Sequence, residues 1–231
     1  MAFRSRKVAL KSIRLLLGSA LIASLVVGLL GCTQQTGVIS STNMDPTMDR
    51  ESFLKARLQH NYANPVAHCE LGKYYLSEKQ WDKAKFHIDA ALDCDPAHRN
   101  SQAAQLKLHS EMGDTQTTQT LFSKYHHQLF NSPDEMTKLA KALGEEGLDE
   151  FALNCFNQAL RRQPDSAETN KYLGYFYLYR NKPEKAKAYF SKSFEIDANQ
   201  PGIAGELGRM GIVIETNEPE PVDINVEKPA N

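Results

Sequence analysis

The feature that most constrains the fold is a period of 34 residues that runs from about residue 65 to about residue 208. One row of small or leucine residues keeps this spacing: Gly72, Leu106, Ala140, Gly174 and Gly208. A second row, Ala84, Ala152 and Ala186, keeps the same phase. A fixed period of this length is typical of a solenoid of helix pairs, because one pair cannot bury its apolar face without stacking on its neighbours. We therefore expect an all-α array that works through its surface.

The N-terminus has the pattern of an export leader. Residues 1–14 contain five basic residues and no acid, and residues 15–30 are apolar apart from Gly and Ser. This apolar run is at the short end for a membrane span. The sequence from Leu29 to Cys32 resembles the lipobox of bacterial lipoproteins, which implies a signal peptide over residues 1–31 and lipidation of Cys32. An uncleaved signal anchor is the alternative.

Lipidation would place the protein in the cell envelope. Thr33 is not the Asp that retains enterobacterial lipoproteins in the inner membrane, so the resemblance implies the outer membrane, facing the periplasm. Removal of residues 1–31 would take away five basic residues and no acidic one, so the formal net charge would fall from −1 to −6. A mildly acidic domain of this kind makes nucleic acid an unfavourable partner.

The periodic region is flanked by segments of other composition. Residues 32–47 are polar and predict a flexible tether. Residues 48–64 predict an amphipathic N-terminal capping helix, and residues 201–215 predict a C-terminal cap. Residues 216–231 are rich in proline and acids without an apolar period, so we expect them to be disordered.

The residues within the period resemble the tetratricopeptide repeat. The resemblance is clear in residues 65–98, 133–166 and 167–200. The matching positions include Leu71, Gly72, Tyr75, Ala84, Ala91 and Pro96 in the first unit, Leu139, Ala140, Gly147, Ala152, Phe156, Ala159 and Pro164 in the third, and Leu173, Gly174, Tyr177, Ala186 and Phe190 in the fourth. It implies a right-handed solenoid of antiparallel helix pairs, with about four repeats between capping helices.

Residues 99–132 keep the period but match the family poorly. Leu106, Thr118 and Tyr125 stand where the family has small side chains that let helices cross closely. Larger side chains would push the two helices apart. We therefore expect this degenerate repeat to form a helix pair with irregular packing.

Three cysteines remain beyond Cys32. Cys69 and Cys94 fall near facing ends of one predicted helix pair, and an exported protein can oxidise them. A disulfide between Cys69 and Cys94, with Cys155 free, is one alternative. The other is that all three are small buried side chains, as free cysteines often are.

The sequence carries no recognisable catalytic motif. It has no nucleophile elbow, phosphate-binding glycine loop, HExxH or Cys-x-x-Cys motif. The seven histidines, including His126 and His127, lack the spacing of metal ligands. We expect no cofactor, no metal and no enzymatic activity.

The family presents the first helix of each pair on a concave groove and commonly binds peptides there. Lys73, Lys107 and Lys141 occupy one repeat position, which Tyr175 and Arg209 continue. If this row lines the groove, the partner would be acidic. The alternative is a chance alignment of solvated lysines.

A second candidate for the groove is a stripe at intervals of four residues in the fourth repeat. It consists of Lys171, Tyr175 and Tyr179, which share one face of the predicted helix. Tyrosine often anchors interfaces. Packing of Tyr175 and Tyr179 against the capping helix is the alternative.

Together, the leader and the repeats predict a lipid-anchored, periplasm-facing adaptor that binds a protein or peptide. An outer-membrane assembly factor resembling the lipoproteins that help type IV pilus secretins assemble is the alternative, and an enzyme is the third. The two-carboxylate clamp of cytosolic co-chaperones is matched only at Lys171, so its ligand is not inferred. The partner and the oligomeric state stay open.

Overall fold

A computed structural model of the chain describes residues 49–212, and within this range all regular structure is helical. The predicted leader (1–31), the lipidated Cys32 with its tether (32–47) and the tail (216–231) lie outside the described residues. Within the described range, no helix has the length and apolar character needed to cross a membrane. The expected all-α array of helix pairs is confirmed.

Ten helices follow one another along the described chain. They are α1 (Arg50–His60), α2 (Pro65–Ser77), α3 (Trp81–Cys94), α4 (Arg99–Glu111), α5 (Thr115–Gln128), α6 (Pro133–Glu145), α7 (Asp149–Arg162), α8 (Ala167–Leu178), α9 (Pro183–Ile196) and α10 (Pro201–Arg209). Helices α2 to α9 form four consecutive pairs, with α1 packed before them on α2 and α10 after them on α9.

The turn inside each pair contains one residue in the left-handed region. These residues are Lys79, Gly113, Gly147 and Asn181, with φ of 56°, 77°, 75° and 54°, and they stand one period apart. Glycine adopts this conformation without a Cβ penalty, whereas lysine pays about 1–2 kcal/mol for it. The turn geometry therefore repeats even where the glycine does not.

Small residues set how closely the two helices of a pair approach. A Cβ placed on Gly72 would lie 2.7 Å from Cγ1 of Ile88, and one on Gly174 would lie 2.9 Å from Cγ of Phe190 and nearer still to two other ring carbons. The absence of a side chain at these glycines therefore makes room for the bulky residue of the second helix.

The pair of α4 and α5 packs more loosely than the other three pairs. Leu106 occupies the position that Gly72 and Gly174 hold in their repeats, and it is fully buried. Tyr125 occupies the position of Ala91, and its hydroxyl donates to Oε1 of Gln105 at 2.6 Å. The larger side chains fill the space between α4 and α5 and hold these helices apart.

The cysteines match neither alternative in full. Cys69 and Cys155 are buried, Cys94 is exposed at the end of α3, and all three are free thiols. Because Cys69 and Cys94 are free thiols in this structure, their pairing in the exported protein stays a prediction, whereas the expectation that all three cysteines are buried is wrong for Cys94. Burial raises the pKa of the Cys155 thiol to about 12, which makes it unreactive at neutral pH.

A histidine pair, in which His68 is buried and His87 is half-buried, joins α2 to α3. Nδ1 of His68 lies 3.0 Å from Nδ1 of His87, and Nε2 of His68 lies 2.9 Å from the carbonyl oxygen of Tyr62. Because a carbonyl only accepts, His68 carries its proton on Nε2, and its Nδ1 accepts from Nδ1–H of His87. The Tyr75 ring stacks on His87 at 5.5 Å and donates its hydroxyl to Glu51 of α1. This network holds α1, α2 and α3 together.

Acid should weaken this part of the molecule. Burial, together with the charge that His68 would carry, lowers the pKa of His87 from 6.5 to about 4. The unfolded chain therefore takes up a proton at His87 before the folded chain does, so this contribution to stability is complete above pH 6.5 and is lost as the pH falls toward 4. Urea unfolding followed by circular dichroism should give a lower midpoint at pH 5 than at pH 7.

The matched control is His87→Gln, which keeps a polar side chain and cannot titrate in this range. It should be less stable than wild type at pH 7 and show a shallower decline between pH 7 and pH 5. An unchanged slope in this variant would assign the acid sensitivity to other groups.

Candidate functional site

Four cations of the predicted row are ion-paired within the chain. Each of the pairs on α4, α6 and α10 joins a basic residue to a glutamate three or four positions away, and the fourth pair spans the array. The pairs are Lys107–Glu111 at 2.7 Å, Lys141–Glu145 at 3.0 Å, Arg209–Glu206, and Lys73–Glu146. The charge of the row is therefore offset by nearby carboxylates.

The pair of Lys73 and Glu146 connects α2 with the residue that follows α6. Helix α4 packs against both α2 and α6, so the ion pair spans α4. Burial alone would lower the pKa of Lys73, but the charge of Glu146 and its hydrogen bond outweigh burial and raise it. The ion pair thus ties the first helix of the first repeat to the end of the first helix of the third repeat, and Lys73 is already paired.

A cleft of about 420 Å³ lies between α6 and α8. It brings together three of the predicted residues, Lys141, Tyr175 and Tyr179. The remaining lining residues are Gly144, Glu145, Phe156, Tyr172, Phe176 and Arg180. Lys73, Lys107 and Arg209 do not line this cleft, and Lys171 lies beside it, on the Tyr172 ring.

The two predicted tyrosines of the cleft have different environments. Tyr175 packs edge-on against Phe190 at 4.9 Å, within the cluster that holds α10, so the capping alternative describes this residue. Tyr179 stacks on Tyr175 with ring centroids 6.2 Å apart and is 80% exposed. A large aromatic ring that is held on one side and open to solvent on the other is suited to anchor a partner.

Two cations flank Tyr172 at the rim of the cleft. Nζ of Lys171 lies 5.2 Å from the ring centroid, and Nζ of Lys141 lies 5.6 Å from it. Lys141 is paired with Glu145, whereas Lys171 has no carboxylate within ion-pair distance among residues 49–212. Lys171 is therefore the predicted cation that is best placed to meet an acidic group of a ligand.

Arg180, just after α8, forms the floor of the cleft and was not predicted. Its guanidinium donates to Oδ2 of Asp149 at 2.7 Å, to the Gly144 carbonyl at 2.8 Å and to the Phe176 carbonyl at 3.1 Å, and it binds the second oxygen of Asp149. It also lies 3.7 Å from the centroid of the Phe176 ring. Its hydrogen bond and its charge lower the pKa of Asp149.

No periodic pattern marks Arg180 in the sequence. The residues one and two periods earlier are Glu146 and Met112, which share no chemistry with arginine. Its partners come from α6, α7 and α8, so only the packed array shows that Arg180 locks the end of α8 to the preceding repeat.

The sequence of this chain is similar to those of a repeat family and of a pilus assembly protein. A sequence model of the tetratricopeptide repeat matches residues 173–200, which include Tyr175, Tyr179 and Arg180. The type IV pilus assembly protein PilF of Pseudomonas aeruginosa is 25% identical to this chain over 203 residues, which cover 82% of this chain and 70% of PilF.

Two solved structures are similar to this chain. One, of Pseudomonas aeruginosa PilF, aligns with a TM-score of 0.36 and 24% identity, over 66% of this chain and 69% of that one. The other, a thermophilic tetratricopeptide-repeat protein of Thermus thermophilus, aligns with a TM-score of 0.42 and 13% identity, over 71% of this chain and 89% of that one.

Proposed function

We propose that this chain, which is a tetratricopeptide-repeat protein, binds a partner protein in the cleft between α6 and α8 and acts as a non-catalytic adaptor in the cell envelope. The observation that carries the proposal is the exposed Tyr179 at the mouth of an aromatic cleft. A cleft of about 420 Å³ suits a few side chains of a peptide segment.

The chemistry of the cleft indicates what the partner segment presents. Tyr172, Tyr175 and Tyr179 offer ring faces and edges, which favour apolar or aromatic side chains. Lys171 adds a cation beside these rings, so we expect an acidic group next to the apolar residue of the partner. The guanidinium of Arg180 is already bonded to Asp149 and to two backbone carbonyls, so we expect Arg180 to shape the cleft without contacting the ligand.

The relationship to PilF supports a role in type IV pilus assembly. In that role, the adaptor would hold a pilus assembly component at the membrane. We expect affinity purification of the full-length chain from detergent-solubilised envelopes to recover such a component. If the purification instead recovered an unrelated envelope protein that binds in the same cleft, the adaptor function would stand and the role in pilus assembly would be contradicted.

Replacement of the exposed anchor should weaken partner binding. We expect Tyr179→Ala to raise the dissociation constant about tenfold, or about 1.4 kcal/mol, mainly through faster dissociation. Biolayer interferometry with the recovered partner and the full-length chain would measure this.

Tyr62→Ala provides the matched control for this substitution. Tyr62 is also exposed, at 63%, but it lies in the turn between α1 and α2 and outside the cleft. Binding should be unchanged in this variant. Equal losses in the two variants, or none in Tyr179→Ala, would contradict binding at the cleft.

The envelope location depends on Cys32. We expect Cys32→Ser to abolish palmitate labelling and to leave the precursor uncleaved, because only a thiol forms the thioether to the lipid. Metabolic labelling and gel mobility of the full-length chain would measure both effects. A wild-type chain that takes up no palmitate would overturn the lipid anchor while leaving the cleft proposal intact.

A further inference from the structure

The end of the array has a cavity of about 390 Å³ on α10 and the adjoining end of α9. We call this surface the terminal seat. Its lining is uncharged and includes Phe194, Pro201, Ala204, Gly208 and Ile212. Ile203 and Leu207, on an adjacent face of α10, are buried against Ala186 and Phe190, so α10 is anchored while the seat stays open.

The 34-residue period relates the terminal seat to the packing contacts inside the earlier helix pairs. Gly208 stands one period after Gly174, and Gly174 is buried beneath the Phe190 ring of α9. Gly72 is buried in the same way beneath Ile88 of α3. A Cβ on Gly208, in contrast, would have no described residue within 4 Å, and Gly208 is exposed. Helix α10 thus presents the face that a first helix uses to receive its second helix.

We propose that the terminal seat binds an amphipathic α-helix of a partner protein, which takes the position of the second helix of a fifth repeat. In the array, the residue received at the glycine follows a buried alanine by four positions, as in Ala84 with Ile88 and Ala186 with Phe190. The partner helix therefore carries a small residue and, one turn later, a bulky apolar residue. Its contact face is apolar, because the seat offers no charged side chain.

The residues that follow α10 have the wrong chemistry for this position. One period after the buried Ala186 the chain has Glu220, and one period after the buried Ser193 it has Glu227. Both positions are occupied by small, buried side chains in the fourth repeat, so each glutamate would lose its hydration there. Pro221 falls among the same residues. These residues therefore do not supply such a helix, and the proposal assigns it to a partner protein.

The test uses a peptide of known chemistry as the probe. A fluorescent peptide with the α9 sequence, Pro183–Ile196, carries the spacing of Ala186 and Phe190. Fluorescence anisotropy would measure its binding to the full-length chain. We expect saturable binding that Gly208→Leu weakens at least about tenfold, because the leucine occupies the place of the incoming side chain.

Two controls separate the seat from a general effect on α10. Gly205→Leu makes the same change on the same helix, also in open space but outside the seat, and should leave peptide binding unchanged. A peptide with Phe190→Ala should bind at least about tenfold more weakly. Absence of binding to wild type, or equal binding to wild type and Gly208→Leu, would overturn the proposal.

Two further measurements test the other occupants of the seat. Ile224 stands one period after Phe190. If Ile224→Asp made the full-length chain bind the peptide more tightly, residues of the same chain would compete for the seat, and the assignment to a partner protein would be overturned.

Sedimentation velocity of the wild type and of Gly208→Leu tests whether a second copy of this chain occupies the seat. If the wild type is a dimer and the Gly208→Leu variant is a monomer, the seat mediates self-association and the proposal is overturned. If the two proteins have the same sedimentation coefficient, the proposal is supported.

Discussion

The substitution Gly174→Leu is expected to destabilise the array by about 3 kcal/mol or more, at the upper end of the range for overpacking. Even a Cβ at this position would lie 2.9 Å from Cγ of Phe190, whose ring is fully buried. The ring cannot swing into solvent, so α8 and α9 must separate and lose contacts over their length. Urea unfolding followed by circular dichroism at 222 nm would measure the loss.

The same substitution one period later provides the control. Gly208→Leu adds the same side chain on a first helix, but no described residue lies within 4 Å of the added Cβ. We expect its free energy of unfolding to stay close to that of wild type. In addition, Phe190→Ala combined with Gly174→Leu should cost less than the sum of the two single losses, since the smaller residue makes room for the leucine. Equal losses in the two leucine variants would contradict the packing argument.

Arg180→Met is expected to cost about 2 kcal/mol of stability, because it removes hydrogen bonds from a charged donor to Asp149 and to two carbonyls. The arginine side chain is only 19% exposed, whereas Asp149 is 46% exposed and can recover hydration. Methionine keeps most of the apolar contact with Phe176, so the loss reports the polar contacts. Hydrogen exchange should also increase at the end of α8, where Arg180 ties this helix to the Gly144 carbonyl.

Arg161→Met is the matched control for this prediction. The guanidinium of Arg161 donates to Gln158 in its own helix, at 3.1 and 2.6 Å, and makes no hydrogen bond to another repeat within the described residues. Its replacement should change the free energy of unfolding by less than about 0.5 kcal/mol. If the two variants lost equal stability, Arg180 would be an ordinary surface arginine.

Much of the fold could be predicted from the period alone. The spacing from Gly72 to Gly208 predicted helix pairs, because only a repeated packing contact requires a small residue at a fixed interval. It also predicted Tyr179 on the first helix of the fourth pair, whereas in the structure Tyr179 is the residue that follows the end of α8 at Leu178 and lines the cleft. The spacing of residues was enough to predict the helix pairs, because the same packing contact recurs in successive repeats.

The sequence did not predict which cations stay unpaired. Lys107 and Lys141 each have a glutamate four residues later, so this part of the charge offset was readable from helix geometry. The pair of Lys73 with Glu146 was not readable, because its members belong to different repeats and meet across α4. All four cations of the row are therefore ion-paired, and within residues 49–212 Lys171, from the separate stripe in the fourth repeat, is the predicted cation that has no carboxylate partner beside the cleft.

The period by itself determined that this protein is an array of helix pairs, since the spacing of small residues reports how often two helices must cross. The tertiary structure decided where the array can bind. Arg180 and the cleft depend on how α6, α7 and α8 meet, and the terminal seat depends on which helix face is left without a neighbour. These properties arise from distances between repeats and from missing contacts, and a periodic pattern records neither of them.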